Sequence, residues 1–73
     1  MKAPARAVVA WWYSPTAAKW IRWSSHSAPS AGDALELAMR ALDWMPEGDR
    51  FVDVWRRAGG AWKHETRYRG GEA

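Results

Sequence analysis

The chain has 73 residues, enough for one small domain, and it contains no cysteine, which excludes disulfides and thiol chemistry. With only two histidines a structural zinc site is not expected, and no apolar run approaches the roughly 20 residues of a membrane span. The net charge is +3, and its excess lies after residue 49, where six basic residues stand against three acidic ones. This asymmetry favours a partner with an acidic surface.

Seven tryptophans are the outlier of the composition. A core of this size cannot easily enclose seven indoles, because each ring buries about 150–250 Å² and its N–H needs a partner. We therefore expect several rings at the surface, where tryptophan and arginine are typical anchors of interfaces.

The first third of the chain predicts a β-hairpin. After a flexible lead-in over residues 1–5, Arg6–Tyr13 is apolar in both alternating sets, which is typical of a central strand. Pro15 marks a turn, and Lys19–Ser25 is a second strand. Its alternation places Ile21 and Trp23 on one face and Trp20, Arg22 and Ser24 on the other.

Ser30–Met45 is predicted as the only helix. Ser30 is the expected N-cap, Asp33 completes a variant capping box, and Pro46 ends the helix. A helical wheel centred on Leu35 predicts that the core face consists of Leu35, Ala31, Ala38, Met39, Leu42 and Met45.

A second apolar seam on this helix consists of Leu37, Ala41 and Trp44. Either a loop of the same domain covers it, or it contacts another molecule. We favour the second interpretation, which predicts a homodimer with Trp44 at or near the contact.

The last third predicts a second hairpin. Arg50–Arg57 and Trp62–Arg69 are its strands, and Gly59-Gly60 supplies the positive φ that a tight turn requires. Alternation in the last strand separates the even-numbered residues from Trp62 to Tyr68 from the odd-numbered residues Lys63 to Arg69. Residues 70–73 are predicted to be a frayed tail.

The predicted fold class is α+β with the order ββαββ: one domain over residues 1–73, in which a four-stranded, mostly antiparallel sheet carries one helix on one face. The strand order cannot be read from the sequence. The expected helix-facing set is Val9, Trp11, Ile21, Trp23, Val52, Val54, Trp62 and Tyr68. The opposite face should then present Trp12, Trp20, Arg22, Phe51, Trp55, Arg57, Lys63 and Arg67.

No complete catalytic constellation is visible in the sequence. His64 and Glu65 are neighbours on a strand, so their side chains should point to opposite faces. His26 lies among serines in a polar connection that offers no pocket. We therefore predict a protein that is not an enzyme and that uses no metal or cofactor.

The predicted face of tryptophan and arginine has three interpretations. It can bind nucleic acid, with bases stacked on indoles and phosphates held by cations. It can bind protein through the same side chains, or it can be a structural layer of cation–π pairs. A net charge of +3 with interleaved Asp53 and Glu65 is modest for a protein that tracks phosphates, which favours the protein interface.

The ββαββ order and small size resemble phage-encoded inhibitors of bacterial defence, including certain anti-CRISPR proteins. The segment Gly59-Gly60-Ala61-Trp62-Lys63 is also similar to the final hairpin of one such group. The resemblance covers architecture and transfers no residue's role. It implies a protein that acts by occupying a surface of its partner.

The leading hypothesis is therefore a non-catalytic binding protein, such as a defence inhibitor, whose partner is a protein with an acidic or nucleic-acid-handling surface. The alternative is a small nucleic-acid-binding module that uses the open sheet. We expect a cytoplasmic protein without a membrane partner. The expected binding residues are Trp12, Trp20, Arg22, Trp55, Arg57, Lys63 and Arg67.

Overall fold

The computed structural model of the protein describes residues 5–71. Four strands and one helix follow in the order β1 (Arg6–Ser14), β2 (Lys19–Ala28), α1 (Ala31–Trp44), β3 (Arg50–Ala58) and β4 (Ala61–Gly70). The strands form one open sheet in the order β2-β1-β3-β4, and every neighbouring pair is antiparallel. The predicted α+β class and ββαββ order are therefore confirmed.

The strand order explains how the two hairpins join. The inner strands β1 and β3 pair with each other, while β2 and β4 form the edges. The helix carries the chain from the edge strand β2 to the inner strand β3. Strands β2 and β3 run parallel to each other and are separated by β1.

The turns and helix ends follow local chemistry. Gly59 and Gly60 have φ values of 58° and 81°, as the tight turn between β3 and β4 requires. The Ser30 hydroxyl accepts a hydrogen bond from the Asp33 amide at 3.2 Å and donates one to the Asp33 carboxylate at 2.9 Å. Met45 leaves helical geometry with a ψ of 149°, as expected before Pro46. The predicted N-cap, capping box and helix stop are thus present.

The buried face of the helix differs from the predicted one. Ala34, Ala38, Ala41 and Met45 are buried against the sheet, whereas Leu35 is 46% exposed and Met39 and Ala31 are also exposed. The helix is rotated so that its small residues meet the sheet, because alanines let the helix backbone approach closely. The wheel centred on Leu35 was wrong in this respect, although Ala38, Met45 and half-buried Leu42 do contact the core.

The orientation of β1 was also predicted wrongly. Val8, Ala10 and Trp12 point to the helix side, so Val9 and Trp11 lie on the open side of the sheet. Both alternating sets of this strand are apolar, so hydrophobicity alone could not decide between them. In β3 the prediction was right, since Val52 and Val54 are fully buried under the helix.

A β-bulge in each edge strand changes the alternation. In β4, Val54 lies opposite Thr66 and Trp55 opposite His64, which leaves Glu65 as an extra residue. Trp62 and His64 therefore share the open side with Arg67 and Arg69, while Lys63 lies on the helix side. Trp62, predicted to face the helix, does not. Trp23 is the corresponding extra residue of β2.

Glu65 lies on the helix side and accepts two hydrogen bonds from Arg6, each of 3.1 Å, which lower the pKa of its carboxyl. Arg56 approaches the same carboxylate at 3.8 Å. Glu65 was expected on the open side with Asp53, and its position as the bulge residue is the reason that it is not.

The two predicted flexible ends, residues 1–5 and 70–73, each include a residue that is hydrogen-bonded to the sheet or belongs to it. The carbonyl of Ala5 accepts a hydrogen bond from the amide of Arg57 at 3.0 Å, and Gly70 belongs to β4. The remaining residues of the two predicted ends, 1–4 and 72–73, lie outside the described residues. Between them, the 14-residue helix does not reach the length and apolar character of a membrane span.

We predict that Ala38→Leu destabilises the fold by about 1–3 kcal/mol. Ala38 is fully buried where the helix touches the sheet, so added methylenes must push the two layers apart. Urea unfolding followed by tryptophan fluorescence measures the change. The exposed Ala31→Leu is the matched control and should unfold like the wild type; equal midpoints for the two variants would contradict the described helix orientation.

Candidate binding surface

The open face is the side of the sheet that the helix does not cover. The strand register brings its residues together in cross-strand pairs, which include Trp11 with Phe51, Asp53 with Arg67, Trp55 with His64 and Arg57 with Trp62. Its members are Ala7, Val9, Trp11, Tyr13, Trp20, Arg22, Ser25, Ser27, Phe51, Asp53, Trp55, Arg57, Trp62, His64, Arg67 and Arg69.

An aromatic cluster forms one end of the open face. Trp20 meets Phe51 edge to face, with centroids 4.9 Å apart, and meets Tyr13 in the same way at 5.4 Å. Trp11 lies nearly parallel to Phe51 at 6.4 Å. Three strands contribute these rings, which are locked against one another, and Trp20 remains 44% exposed at the edge.

A charged cluster lies at the centre of the face. Asp53 is only 5% exposed, and its carboxylate receives two hydrogen bonds from Arg67, at 2.7 and 3.0 Å. His64 Nε2 lies 2.9 Å from the same carboxylate. The guanidinium of Arg67 also stands 4.0 Å from the centre of the Phe51 ring, so Asp53 holds a cation over the aromatic cluster.

The charges of this cluster shift the pKa values of both partners. Burial alone would raise the pKa of the Asp53 carboxyl, but hydrogen bonds and charge from Arg67 and His64 outweigh it and lower this pKa. The hydrogen bond to Asp53 raises the pKa of Arg67. The pair is therefore fixed in its ionised form at neutral pH.

A shallow apolar depression forms the other end of the face. Its volume is about 310 Å³, and Ala7, Val9, Trp55 and Trp62 line it. Small side chains of β1 form its floor and the two indoles its wall. Arg57 lies at its rim with the guanidinium 5.6 Å from the centre of the Trp62 ring.

The open face carries the net charge of the protein. Its four arginines and one buried aspartate give it a net charge of +3, which is also the net charge of the whole sequence. Elsewhere the described residues hold six basic and six acidic side chains, and Lys2 and Glu72 beyond them cancel. The positive field is thus concentrated on the aromatic side of the molecule.

Five of the seven predicted binding residues lie on the open face: Trp20, Arg22, Trp55, Arg57 and Arg67. Trp12 and Lys63 do not. Trp12 packs against the core on the helix side, where its indole donates a hydrogen bond to the carbonyl of Glu47 at 3.2 Å. Lys63 pairs with Arg56 on the helix side because of the bulge at Glu65.

Sequence reasoning placed Trp11 and Trp62 on the wrong side and did not assign Tyr13 or His64 to this surface. The density of aromatic residues in β1 indicated that this strand contributes rings to a surface. It did not indicate which side of the strand faces away from the helix. The contact between His64 and Asp53 was hidden, because these residues belong to different strands. Only the adjacent Glu65 was considered as a partner of His64.

The contact between His64 and Asp53 resembles part of an acid–base pair, but within residues 5–71 the strand register places no serine or threonine at the neighbouring positions of the open face. Ser25, which pairs with Val9, lies on β2 at the opposite edge of the sheet. Three strand spacings of about 4.8 Å separate β2 from the strand of His64, a distance of about 14 Å. Within residues 5–71, no group of three or more His, Cys, Asp or Glu side chains could hold a metal ion. The arrangement is suited to holding Arg67 in place.

The predicted dimer seam is divided by the rotation of the helix. Ala41 is buried in the core and cannot contact another molecule, while Leu37 is half-buried. Trp44 is 72% exposed and borders a groove of about 200 Å³ between the helix and β2, together with Leu37 and Trp23.

Comparison with known proteins adds no relative: no protein-family model, no curated protein and no solved structure matches the chain.

We predict that Asp53→Asn lowers the free energy of unfolding at pH 7 by about 1–3 kcal/mol, because the amide cannot accept both hydrogen bonds from Arg67. The pKa of Asp53 is lowered in the folded protein, so its ionised form stabilises the fold above the unfolded pKa of about 3.9. This contribution is lost as the pH falls through the folded pKa.

The difference between wild type and Asp53→Asn should therefore shrink as the pH is lowered from 7 to about 2. Urea unfolding at a series of pH values measures it. Asp43→Asn, at an exposed carboxylate on the helix, serves as the control and should leave stability nearly unchanged. A difference that stays constant across this range would show that the ionised Asp53 does not stabilise the fold.

Proposed function

We propose that the protein is a non-catalytic binding protein that uses the open face to occupy a surface of a protein partner. One observation carries the proposal: six of the ten Trp, Tyr and Phe rings and a net charge of +3 lie on the same uncovered face of the sheet. Exposed apolar patches of this kind mark interaction sites, and tryptophan and arginine are the usual anchors of interfaces.

The geometry of the rings favours protein over nucleic acid as the partner. Arg67 stands over Phe51, and Trp20 is packed edge-on against two rings, so the aromatic cluster offers few free ring faces for stacked bases. Two hydrogen bonds already hold the guanidinium of Arg67 on the buried carboxylate of Asp53, which leaves this arginine less able to bind a phosphate.

The open four-stranded sheet with its four arginines also supports the second candidate, a nucleic-acid-binding module. The resemblance in plan to phage-encoded inhibitors of bacterial defence leads to a more specific form of the first candidate. In that form the protein inhibits a nucleic-acid-handling protein of a bacterial defence system. This form rests on architecture alone, and the cytoplasm is the compartment that it implies.

A pull-down from bacterial lysate, with and without nuclease, tests the proposal. We expect a protein captured by the wild type that survives nuclease treatment. Trp20→Ala and Arg22→Ala should weaken its binding, with Trp20→Ala costing about 2 kcal/mol, because the indole of Trp20 is 44% exposed and is held in place by the rings of Tyr13 and Phe51. Leu35→Ala and Arg56→Ala, exposed outside both the open face and the groove beside Trp44, are the controls and should bind like the wild type.

Titration with single- and double-stranded oligonucleotides at several salt concentrations separates the candidates. A phosphate-binding module loses affinity with a log–log slope of about −0.7 to −0.9 per phosphate contact. A protein interface should respond more weakly, mainly through its association rate. Tight oligonucleotide binding that Trp20→Ala abolishes would replace the first candidate by the second.

The proposal includes a homodimer that forms through the groove beside Trp44. Trp44→Glu should then give a folded monomer, because a buried charge opposes association at an apolar contact. Light scattering from micromolar to millimolar concentration measures the mass. A monomeric mass for the wild type across this range would rule out the dimer and leave the open face unaffected.

A further inference from the structure

We infer that the depression between Trp55 and Trp62 binds a single large apolar side chain from an acidic segment of a protein partner. This inference rests on the proposed function and identifies the chemistry of the partner at one end of the open face. The lining, the size and the surrounding charge of the depression carry the argument.

The lining of the depression is apolar. The side chains of Ala7 and Val9 form the floor, and the indoles of Trp55 and Trp62 form the wall. Trp62 is 41% exposed, so much of its ring remains available to a partner. An occupant gains by removing this apolar surface from water and needs no polar group inside.

The size of the depression limits the occupant. About 310 Å³ lies at the lower end of the roughly 300–1,000 Å³ of small-molecule pockets, and the depression is shallow. It is suited to one leucine or phenylalanine side chain inserted from above. Anchors of this kind, seated in a pocket and ringed by polar contacts, dominate the affinity of protein interfaces.

The charge around the depression selects the residues that flank the anchor. Arg57 lies at the rim beside Trp62, and Arg67 lies beyond His64 toward the centre of the face. The one carboxylate of the open face, Asp53, is buried and already bound to Arg67 and His64. Arg57 is therefore available to a carboxylate of the partner, and a basic partner would meet the whole +3 of this face.

Short synthetic acidic peptides test the inference. One peptide carries a single Leu between Asp and Glu residues, the second has Ala in place of Leu, and the third keeps Leu but replaces the acids by Gln and Asn. Isothermal titration calorimetry measures each against the full chain. We expect the first peptide to bind at least about tenfold more tightly than either of the others.

Variants assign the binding to the depression. Trp62→Ala and Arg57→Gln should each lower the affinity for the first peptide, Trp62→Ala by about tenfold or more. Leu35→Ala and Arg56→Gln change an apolar side chain and an arginine that are exposed outside the open face and the groove beside Trp44, and both should bind like the wild type. Circular dichroism confirms that each variant is folded, and Arg57→Gln keeps the test decisive if Trp62→Ala unfolds.

Several results would overturn the inference: no binding of the first peptide, equal binding of the Leu and Ala forms, or equal binding of the acidic and amide forms. A mass that rises with concentration in the wild type but not in Trp62→Ala would assign the depression to a second copy. Displacement of the peptide by a single-stranded oligonucleotide would assign it to nucleic acid. If these tests fail while a nuclease-resistant partner still depends on Trp20 and Arg22, the proposed function stands without this inference.

Discussion

The open face depends on one buried carboxylate. Asp53 lies beneath the exposed side chains of the open face, and it fixes the guanidinium of Arg67 by two hydrogen bonds. Arg67 in turn covers the ring of Phe51, while His64 joins the same carboxylate from the neighbouring position on β4. A buried charge without partners would be costly, so the three side chains constrain one another. The face is consequently organised before any partner arrives, which lowers the entropy lost on binding.

The distribution of the tryptophans follows from a core built of small residues. Valines of the two inner strands pack against alanines of the helix, and this close contact leaves little room for indoles. Trp12 and Trp23 meet edge to face at the margin of the core, at a centroid distance of 5.9 Å. The others remain outside, four of them on the open face and Trp44 on the helix. A compact core and a tryptophan-rich surface are thus two results of the same packing.

The sequence predicts those features that local chemistry decides. The order of elements, the Ser30 cap, the stop before Pro46 and the Gly59-Gly60 turn all depend on nearby residues, and all are present. Features decided by tertiary packing were missed. Strand β1 is apolar on both sides, so its orientation depends on the strands with which it pairs. The helix buries its alanines against the sheet, although Leu35 is more hydrophobic. Five of the seven residues proposed for binding lie on the predicted side of the sheet, because β3, the first part of β2 and the last part of β4 alternate regularly.

The bulge residue Glu65 decides which side chains this end of the open face presents. It shifts the alternation of β4, so that Trp62 and His64 share a side with Arg67 instead of opposing it. Deletion of Glu65 would remove the bulge and leave the sides of Trp62 and His64 unchanged, because the residues around it already alternate as a regular strand when Glu65 is passed over. Regular pairing of Glu65 with β3, in contrast, would exchange the sides of the strand between this position and the turn, and would bring Lys63 to the open face in place of the indole. The presence of a single unpaired residue therefore determines whether this end of the face is apolar or cationic.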